Sequence, residues 1–192
     1  MEVIKTDIEG VYILEPKVFG DSRGYFFESF NAAEFEAKTG VKTTFVQDNQ
    51  SRSTYGVLRG LHFQRPPYAQ SKLVRVTEGC VIDVAVDIRR GSPTFGKYVA
   101  VELTEDNHRQ LFVPRGFAHG FSVLSDEVIF QYKCDNLYAP ESEGAIAWND
   151  PDIGIDWQLP AEDVLLSTKD SAHPMLKDVT DLFDYNVDYY AE

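Results

Sequence analysis

The feature that most limits how this chain can fold is the recurrence of short runs rich in Val, Ile, Phe and Tyr, each broken off by turn residues. They read "GVYIL", "YFFESF", "TTFVQDN", "KLVRV", "CVIDVAVDI", "YVAVEL", "QLFVP", "FSVL" and "VIFQYKC". Many short strands at this spacing favour a β-sandwich or barrel. One helix is predicted in "NAAEFEAKTG", where Asn31 can cap it, Glu34 stands three residues on and Gly40 suits its end. At 192 residues, 43% of them hydrophobic, the chain fits one domain with a sizeable core. The last fifty residues change character. Trp148 and Trp157 lie among Pro, Gly and Asp, and "EDVLLSTKD" can form a helical turn. Residues 178–192 are acidic and aromatic without a base, and read as a tail on a domain spanning 1–177.

Charge is uneven along the chain. The formal net charge is -13, from 31 acidic and 18 basic residues. Yet no Asp or Glu occurs between Ser51 and Thr77, where Arg52, Arg59, Arg65, Lys72 and Arg75 all fall. A basic zone in so acidic a protein suits a small anion, because the remaining surface repels a polyanion such as nucleic acid. The opening "MEVIKTDIEG" has no basic region followed by an apolar run, and no apolar segment approaches the length of a membrane span. A soluble, cytoplasmic protein is expected, with no nucleic-acid or membrane partner. Cys80 and Cys134 sit in apolar runs and are read as small packed hydrophobes.

"GSPTFGKY" nearly spells a phosphate-binding P-loop, but Tyr98 stands where Ser or Thr is needed and a strand-like run follows, so a turn is the reading. His62 in "GLHFQ" and His119 in "PRGFAH" raise the question of a metal. The second string is similar to the P-x-G-x-x-H half-motif of cupins, β-barrels that often hold one. The other half-motif of a metal cupin supplies His-x-His and a Glu; here Gln64 takes the second histidine's place and the next strand offers Lys72. Metal affinity wants neutral nitrogen and anionic oxygen. The expectation is therefore an all-β, cupin-type barrel (jelly roll) with no metal.

Pleat parity puts His62 with Gln64, and Lys72 with Val74 and Val76. Asp83, Ala85 and Asp87 share a face opposite Ile82, Val84 and Val86, and each carboxylate is expected either to pair with a histidine or lysine or to face outward. Arg59 and His62 have opposite parity. They reach one site only if Gly60 marks a bulge or a strand entry.

The strings "FGDSRGYFFESF", "FVQDNQSRSTYGVLRGLHFQ", "AQSKLVRV", "DVAVDIRRGSPTFG", "PRGFAHGF" and "LSTKD", in this order, resemble the dTDP-4-dehydrorhamnose 3,5-epimerase family. The resemblance runs to about Pro174 and leaves the acidic tail outside any motif. It implies a dTDP-sugar substrate, dTDP-4-dehydro-6-deoxy-D-glucose, whose C4 ketone acidifies the hydrogens on C3 and C5. It implies a homodimer in which N-terminal strands cross between subunits. No cofactor is expected, since epimerisation through an enolate is redox-neutral and no Gly-rich dinucleotide fingerprint follows a strand.

By the same resemblance His62 is the base, Asp170 orients it, Tyr132 returns a proton from the opposite face, and Lys72 stabilises the enolate oxygen. Arg23 and Arg59 contact nucleotide or diphosphate groups. Glu28, Gln47, Asp48, Asn49, His119, Glu143 and Lys169 match further ligand-contact positions, and Tyr138 stands where a ring stacks on thymine. Arg52, Arg65 and Arg75 are left unassigned, and His108 and His173 lie in turns or loops. Three alternatives stay open: an epimerase acting at C3 or C5 alone, a nucleotide-sugar-binding cupin without turnover, and a metal-dependent cupin enzyme. The second would show loss of His62, Asp170 or Tyr132, all present here; the third lacks its first half-motif.

Overall fold

Period-two alternation along the expected strands builds two antiparallel sheets in the computed structural model, which describes residues 1–191. In chain order the strands begin β1 (Glu2–Lys5), β2 (Tyr12–Glu15), β3 (Phe19–Asp21), β4 (Gly24–Phe26), β5 (Gln47–Thr54), β6 (Leu58–Gln64), β7 (Lys72–Glu78) and β8 (Cys80–Asp87). They continue as β9 (Arg89–Arg90), β10 (Tyr98–Thr104), β11 (Gln110–Val113), β12 (Phe117–Val123), β13 (Glu127–Cys134), β14 (Glu143–Ala145) and β15 (Phe183–Asp184). One sheet has the order β1-β2-β11-β7-β13-β5 and the other β10-β8-β12-β6-β14. This is the two-sheet arrangement expected from the strand pattern, and the jelly roll implied by the cupin-like half-motif. No helix among the described residues is long and apolar enough to cross a membrane.

Local signals place the remaining elements. Helix α1 spans Ala32–Thr39, with Asn31 Oδ1 accepting from the Glu34 N–H at 3.1 Å and Gly40 left-handed at its end. "GSPTFG" is a turn leading into β10, and its Ser92 and Thr94 hydroxyls donate to the Asp87 carboxylate at 2.6 and 2.7 Å. "EDVLLSTKD" begins and ends in the expected kind of helical turn, 3-10 turns at Ala161–Asp163 and Asp170–Ala172, and between them Leu165 bridges to Val57.

Burial is organised in three layers. Val74, Val76, Val81, Ala85, Phe121 and Phe130 belong to the core cluster between the sheets. Ile82, Val84 and Val86 of β8 face the other way, under Trp157, Leu176, Val179 and Phe183 of the C-terminal segment. Leu14, Leu73 and Phe112 pack beneath Phe35 of α1. Each fully buried Leu, Val or Phe contributes roughly 1.5–3 kcal/mol, and β8 is buried on both faces. Neither β8 carboxylate faces outward: Asp83 and Asp87 are both fully buried. Asp83 takes His119, one of the expected partners, whereas Asp87 takes Arg89, whose Nη2 lies 2.8 Å from Oδ2.

The parity conflict between Arg59 and His62 is resolved by a bulge. His119 of β12 lies opposite His62, and Phe121 lies opposite Arg59, so three steps along β6 match two along β12. Gly60 has φ +125°, and a Cβ there would stand 2.6 Å from Gly120 Cα; a Cβ on Gly120 would stand 2.6 Å from the Arg59 carbonyl oxygen. Only a glycine pair lets these backbones approach so closely. Leu58, Leu61 and Phe63 consequently face the C-terminal cover, leaving Arg59 and His62 on the cavity side. Gly60→Ala and Gly120→Ala are each expected to lose roughly 2–5 kcal/mol of unfolding free energy. Urea titration measures this, and a loss below about 0.5 kcal/mol would show the close approach to be dispensable.

Candidate active site

Between the sheets lies a cleft with two adjoining compartments. One, of about 170 Å³, is lined by Arg59, His62, Lys72, His119, Tyr132 and Asp170 among others. The other, of about 310 Å³, includes Gln47, Asn49, Gln64, Cys134, Tyr138 and Glu143. His62, Lys72 and Tyr132 line both.

His62 Nε2 lies 2.7 Å from Asp170 Oδ1. Asp170 opens a 3-10 turn, where its own N–H donates to Ser167 Oγ at 3.0 Å and that hydroxyl donates to Asp170 Oδ2 at 2.7 Å. Burial pushes the Asp170 carboxyl up. The bonds from His62 and Ser167, the His62 charge and the Gly60 N–H freed at the bulge outweigh it and hold the group well below the usual carboxylate range. An ionised carboxylate only accepts, so the facing Nε2 carries a proton and Nδ1 is the ring nitrogen outside this bond. A second imidazole, His173, approaches the same oxygen at 3.3 Å.

Lys72 opens β7, with Nζ 5.7 Å from the centre of the Tyr132 ring. Burial lowers its pKa against the opposing pull of nearby acids, Asp83 and Glu143 among them. The same burial raises the Tyr132 phenol. His119 Nε2 is shared between the two oxygens of Asp83 at 3.0 and 2.9 Å, and burial pushes that carboxyl up against the charges of His119 and Lys72. Together these groups can take a proton from carbon, stabilise the resulting oxyanion and deliver a proton from a phenol.

The ligand-contact residues expected from sequence divide by parity and by element. Gln47 and Asn49 face the cleft, and the Gln47 amide oxygen accepts from the Tyr138 N–H at 3.0 Å. Asp48, between them, points to the other side of β5, where it pairs with Lys133 Nζ at 3.0 Å beside a hollow of about 250 Å³. Period-two geometry forbids all three sharing one cavity. Arg59 donates to Ser53 Oγ through Nε and Nη2 at 3.3 and 3.1 Å. Glu143 takes Lys169 Nζ at 2.5 Å and the Tyr138 hydroxyl at 3.3 Å. Tyr138 is 56% exposed, as a stacking platform must be. Arg23 and Glu28 do not reach the cleft of their own chain. Both are exposed, and Arg23 sits on the projecting β3–β4 hairpin paired to Asp21.

The basic zone of the sequence also divides. Arg59 and Lys72 face the cleft, while Arg52 pairs with Glu127, Arg75 binds Gln131 Oε1 at 2.9 Å, and Arg65 reaches the tail at Asp181. Gln64, at the metal cupin's histidine position, spends its amide on the backbone at Tyr68, Leu137 and Ala139 and so holds the loop carrying Tyr138. That strand therefore presents no His-x-His donor pair. His62, Asp170 and His173 do bring ligand atoms within 4.8 Å of one another, joined here by the hydrogen bonds already described. The Cys134 thiol is buried and pushed up to about 11, chiefly by burial, which leaves it an inert wall. Ser167, His173 and the clamp role of Gln64 were not read from the sequence. The parity of Gln64 with His62 was the one available signal.

A depressed carboxylate stabilises the fold above its unfolded pKa of about 3.9 and loses that contribution as pH falls through the lower folded value. Asp170→Asn is accordingly expected to be less stable than the parent at pH 7, with the gap closing below about pH 4. Thermal unfolding across pH measures this; a gap constant down to pH 2 would contradict the ionised pair.

Comparison with known proteins agrees with this geometry. A family model described as dTDP-4-dehydrorhamnose 3,5-epimerase matches residues 5–178. The dTDP-4-dehydrorhamnose 3,5-epimerase of Salmonella typhimurium is 60% identical over 179 residues, covering 92% of this chain and 96% of that protein. The crystal structure of dTDP-6-deoxy-D-glucose-3,5-epimerase from Legionella pneumophila, in complex with dTDP-4-keto-L-rhamnose, superposes with a TM-score of 0.93. It has 51% identity and covers 97% of this chain and 99% of that one. A 3'-monoepimerase from Streptomyces bikiniensis, in complex with dTDP-quinovose, is more distant at 34% identity and a TM-score of 0.83, over 90% and 86% of the two chains. With a family match over most of its length and relatives at half identity or better, the chain belongs to the dTDP-4-dehydrorhamnose 3,5-epimerase family.

Proposed function

We propose that the cleft inverts C3 and C5 of dTDP-4-dehydro-6-deoxy-D-glucose to give dTDP-4-dehydro-L-rhamnose. The observation that carries the reading is the His62–Asp170 pair opening onto a cleft that also holds Lys72 and Tyr132. His62 takes the hydrogen next to the ketone as a proton, and the C–H electron pair moves into the enolate. Lys72, a fixed cation, offsets the charge growing on O4. Tyr132 then protonates the carbon from the opposite face, and both groups exchange protons with water before the second centre reacts. Arg59 serves the diphosphate, while Gln47, Asn49, Tyr138 and the Glu143–Lys169 pair serve the nucleoside, with Tyr138 stacking on the base. His119, tied to Asp83, is a further substrate contact.

The site is completed by a second copy of the chain. Arg23 lies on a hairpin whose Phe19, Tyr25 and Phe26 are all more than half exposed, an apolar surface suited to another subunit. Asp48 and Glu28 stay outside the cleft of their own chain, and no role in it is given to them.

Purified protein is expected to convert dTDP-4-dehydro-6-deoxyglucose to the L-lyxo product. His62→Ala should lower kcat by roughly 10²–10⁴-fold, whereas Arg23→Ala should raise KM. At substrate well below the raised KM, co-expressed Arg23→Ala and His62→Ala chains should regain activity that neither shows alone, because one mixed site keeps both residues. Product inverted at one carbon alone would reduce the reading to a single-centre epimerase. No recovery on co-expression would overturn the shared site.

A further inference from the structure

The segment after residue 178 lies beyond the family match, yet it is laid over the barrel as a strap. Val179 and Phe183 are buried, and β15 pairs in parallel with β9. Arg90 Nη2 donates to the Val179 carbonyl at 2.7 Å, and Arg65 Nε to that of Asp181 at 3.1 Å. The end of the strap converges on one residue, Arg115. The Arg115 N–H donates to the Tyr190 hydroxyl at 3.1 Å, Nη1 donates to the Tyr189 carbonyl at 2.6 Å, and the guanidinium stands 5.0 Å from the Tyr190 ring centre.

Arg115 leads directly to the catalytic lysine. Its Nε donates at 3.1 Å to Oδ2 of Asp135, whose side chain is wholly buried. Asp135 also accepts from the Ser71 N–H at 2.6 Å and from the Ser71 and Thr43 hydroxyls at 2.5 and 2.8 Å. Ser71 is fully buried and immediately precedes Lys72, and it also meets the Tyr190 hydroxyl. Lys72 itself pairs with Val113 of β11 on one side and Cys134 of β13 on the other. Arg115 lies two residues past Val113 and Asp135 one past Cys134, so their ion pair ties together the two strands that flank Lys72. Tyr190 is enclosed as part of this knot, its phenol pushed up to about 12 mainly by burial, and it stays a hydroxyl at any working pH.

We propose that Tyr189 and Tyr190 are positioning residues for Lys72: by holding Arg115 they keep the Arg115–Asp135–Ser71 clamp closed and fix where the Lys72 ammonium meets the enolate oxygen. The inference rests on the assignment of Lys72 given above. The ammonium is a point charge on a flexible stem, and an oxyanion is stabilised by a charge already in place. A displacement of about 1 Å is enough to cost up to 10²-fold in rate. The strap thus acts on the chemical step and leaves the nucleotide compartment alone.

Three proteins test it beside the parent: a chain ending at Asp188, Tyr190→Phe, and Tyr185→Phe as a control. Tyr185 bonds Glu9 at 3.2 Å further up the strap and does not touch the clamp. The chain ending at Asp188 is expected to lose kcat roughly 10-fold and Tyr190→Phe about 2- to 10-fold. Tyr185→Phe should match the parent, and dTDP affinity by calorimetry should stay within about twofold throughout. In a Lys72→Ala background the same truncation should cost nothing further. Unchanged kcat in the shortened chain, kcat falling in step with dTDP affinity, or an equal loss in both backgrounds would each overturn the proposal. A parent protein that fails to turn the substrate over would instead overturn the functional reading.

Discussion

The contact between Gly60 and Gly120 is the constraint on which the cleft depends. Without side chains at either position, β6 and β12 close to a separation that any Cβ would prevent, and the register shortens by one residue. That single irregularity has three consequences. It turns Arg59 and His62 toward one cavity, keeps Leu58 and Leu61 under the C-terminal cover, and frees the Gly60 N–H for Asp170. The placement of Arg59, His62 and Asp170 around one cavity is set by one local feature of the backbone.

Burial then separates the acid from the base. Asp170 stays ionised because His62, Ser167 and Gly60 supply the hydrogen bonds that burial makes necessary. Lys72 and Tyr132 share the same cleft, and burial moves them in opposite directions. The phenol holds its proton more firmly, while the ammonium holds its own less firmly. The Asp83 carboxyl, hydrogen-bonded to His119, opposes the lowering that burial imposes on Lys72. The cleft therefore brings an imidazole held by an ionised carboxylate together with a buried amine and a phenol that keeps its proton.

The sequence disclosed these elements unevenly. The strands and the capped helix were legible because their signals are local: side-chain alternation, and Asn31 and Gly40 at the helix ends. The bulge was visible as a contradiction, since Arg59 and His62 could share a site only if Gly60 broke the register. The family resemblance groups Asp48 with Gln47 and Asn49, whereas strand parity sends it to the other side of β5, against Lys133. The burial of β8 on both faces, Asp83 and Asp87 included, depended on the facing sheet on one side and on a cover from residues 157–183 over Ile82, Val84 and Val86 on the other, too far along the chain for any local pattern to show. His173 and the Arg115–Asp135 clamp were hidden for the same reason, and the tail's aromatics acquired meaning only once Arg115 lay beneath them.

The central claim is that base and acid stand on opposite faces of one sugar ring and can be separated experimentally. Proton NMR in D₂O, following C3 and C5 of dTDP-4-dehydro-6-deoxyglucose with the parent, His62→Ala and Tyr132→Phe, tests it most directly. The parent should incorporate deuterium at both carbons with inversion, and His62→Ala should incorporate almost none. Tyr132→Phe should still exchange, because His62 forms the enolate and returns deuterium from its own face with the configuration retained. Exchange that survives in His62→Ala and disappears in Tyr132→Phe would reverse the two roles and contradict the account.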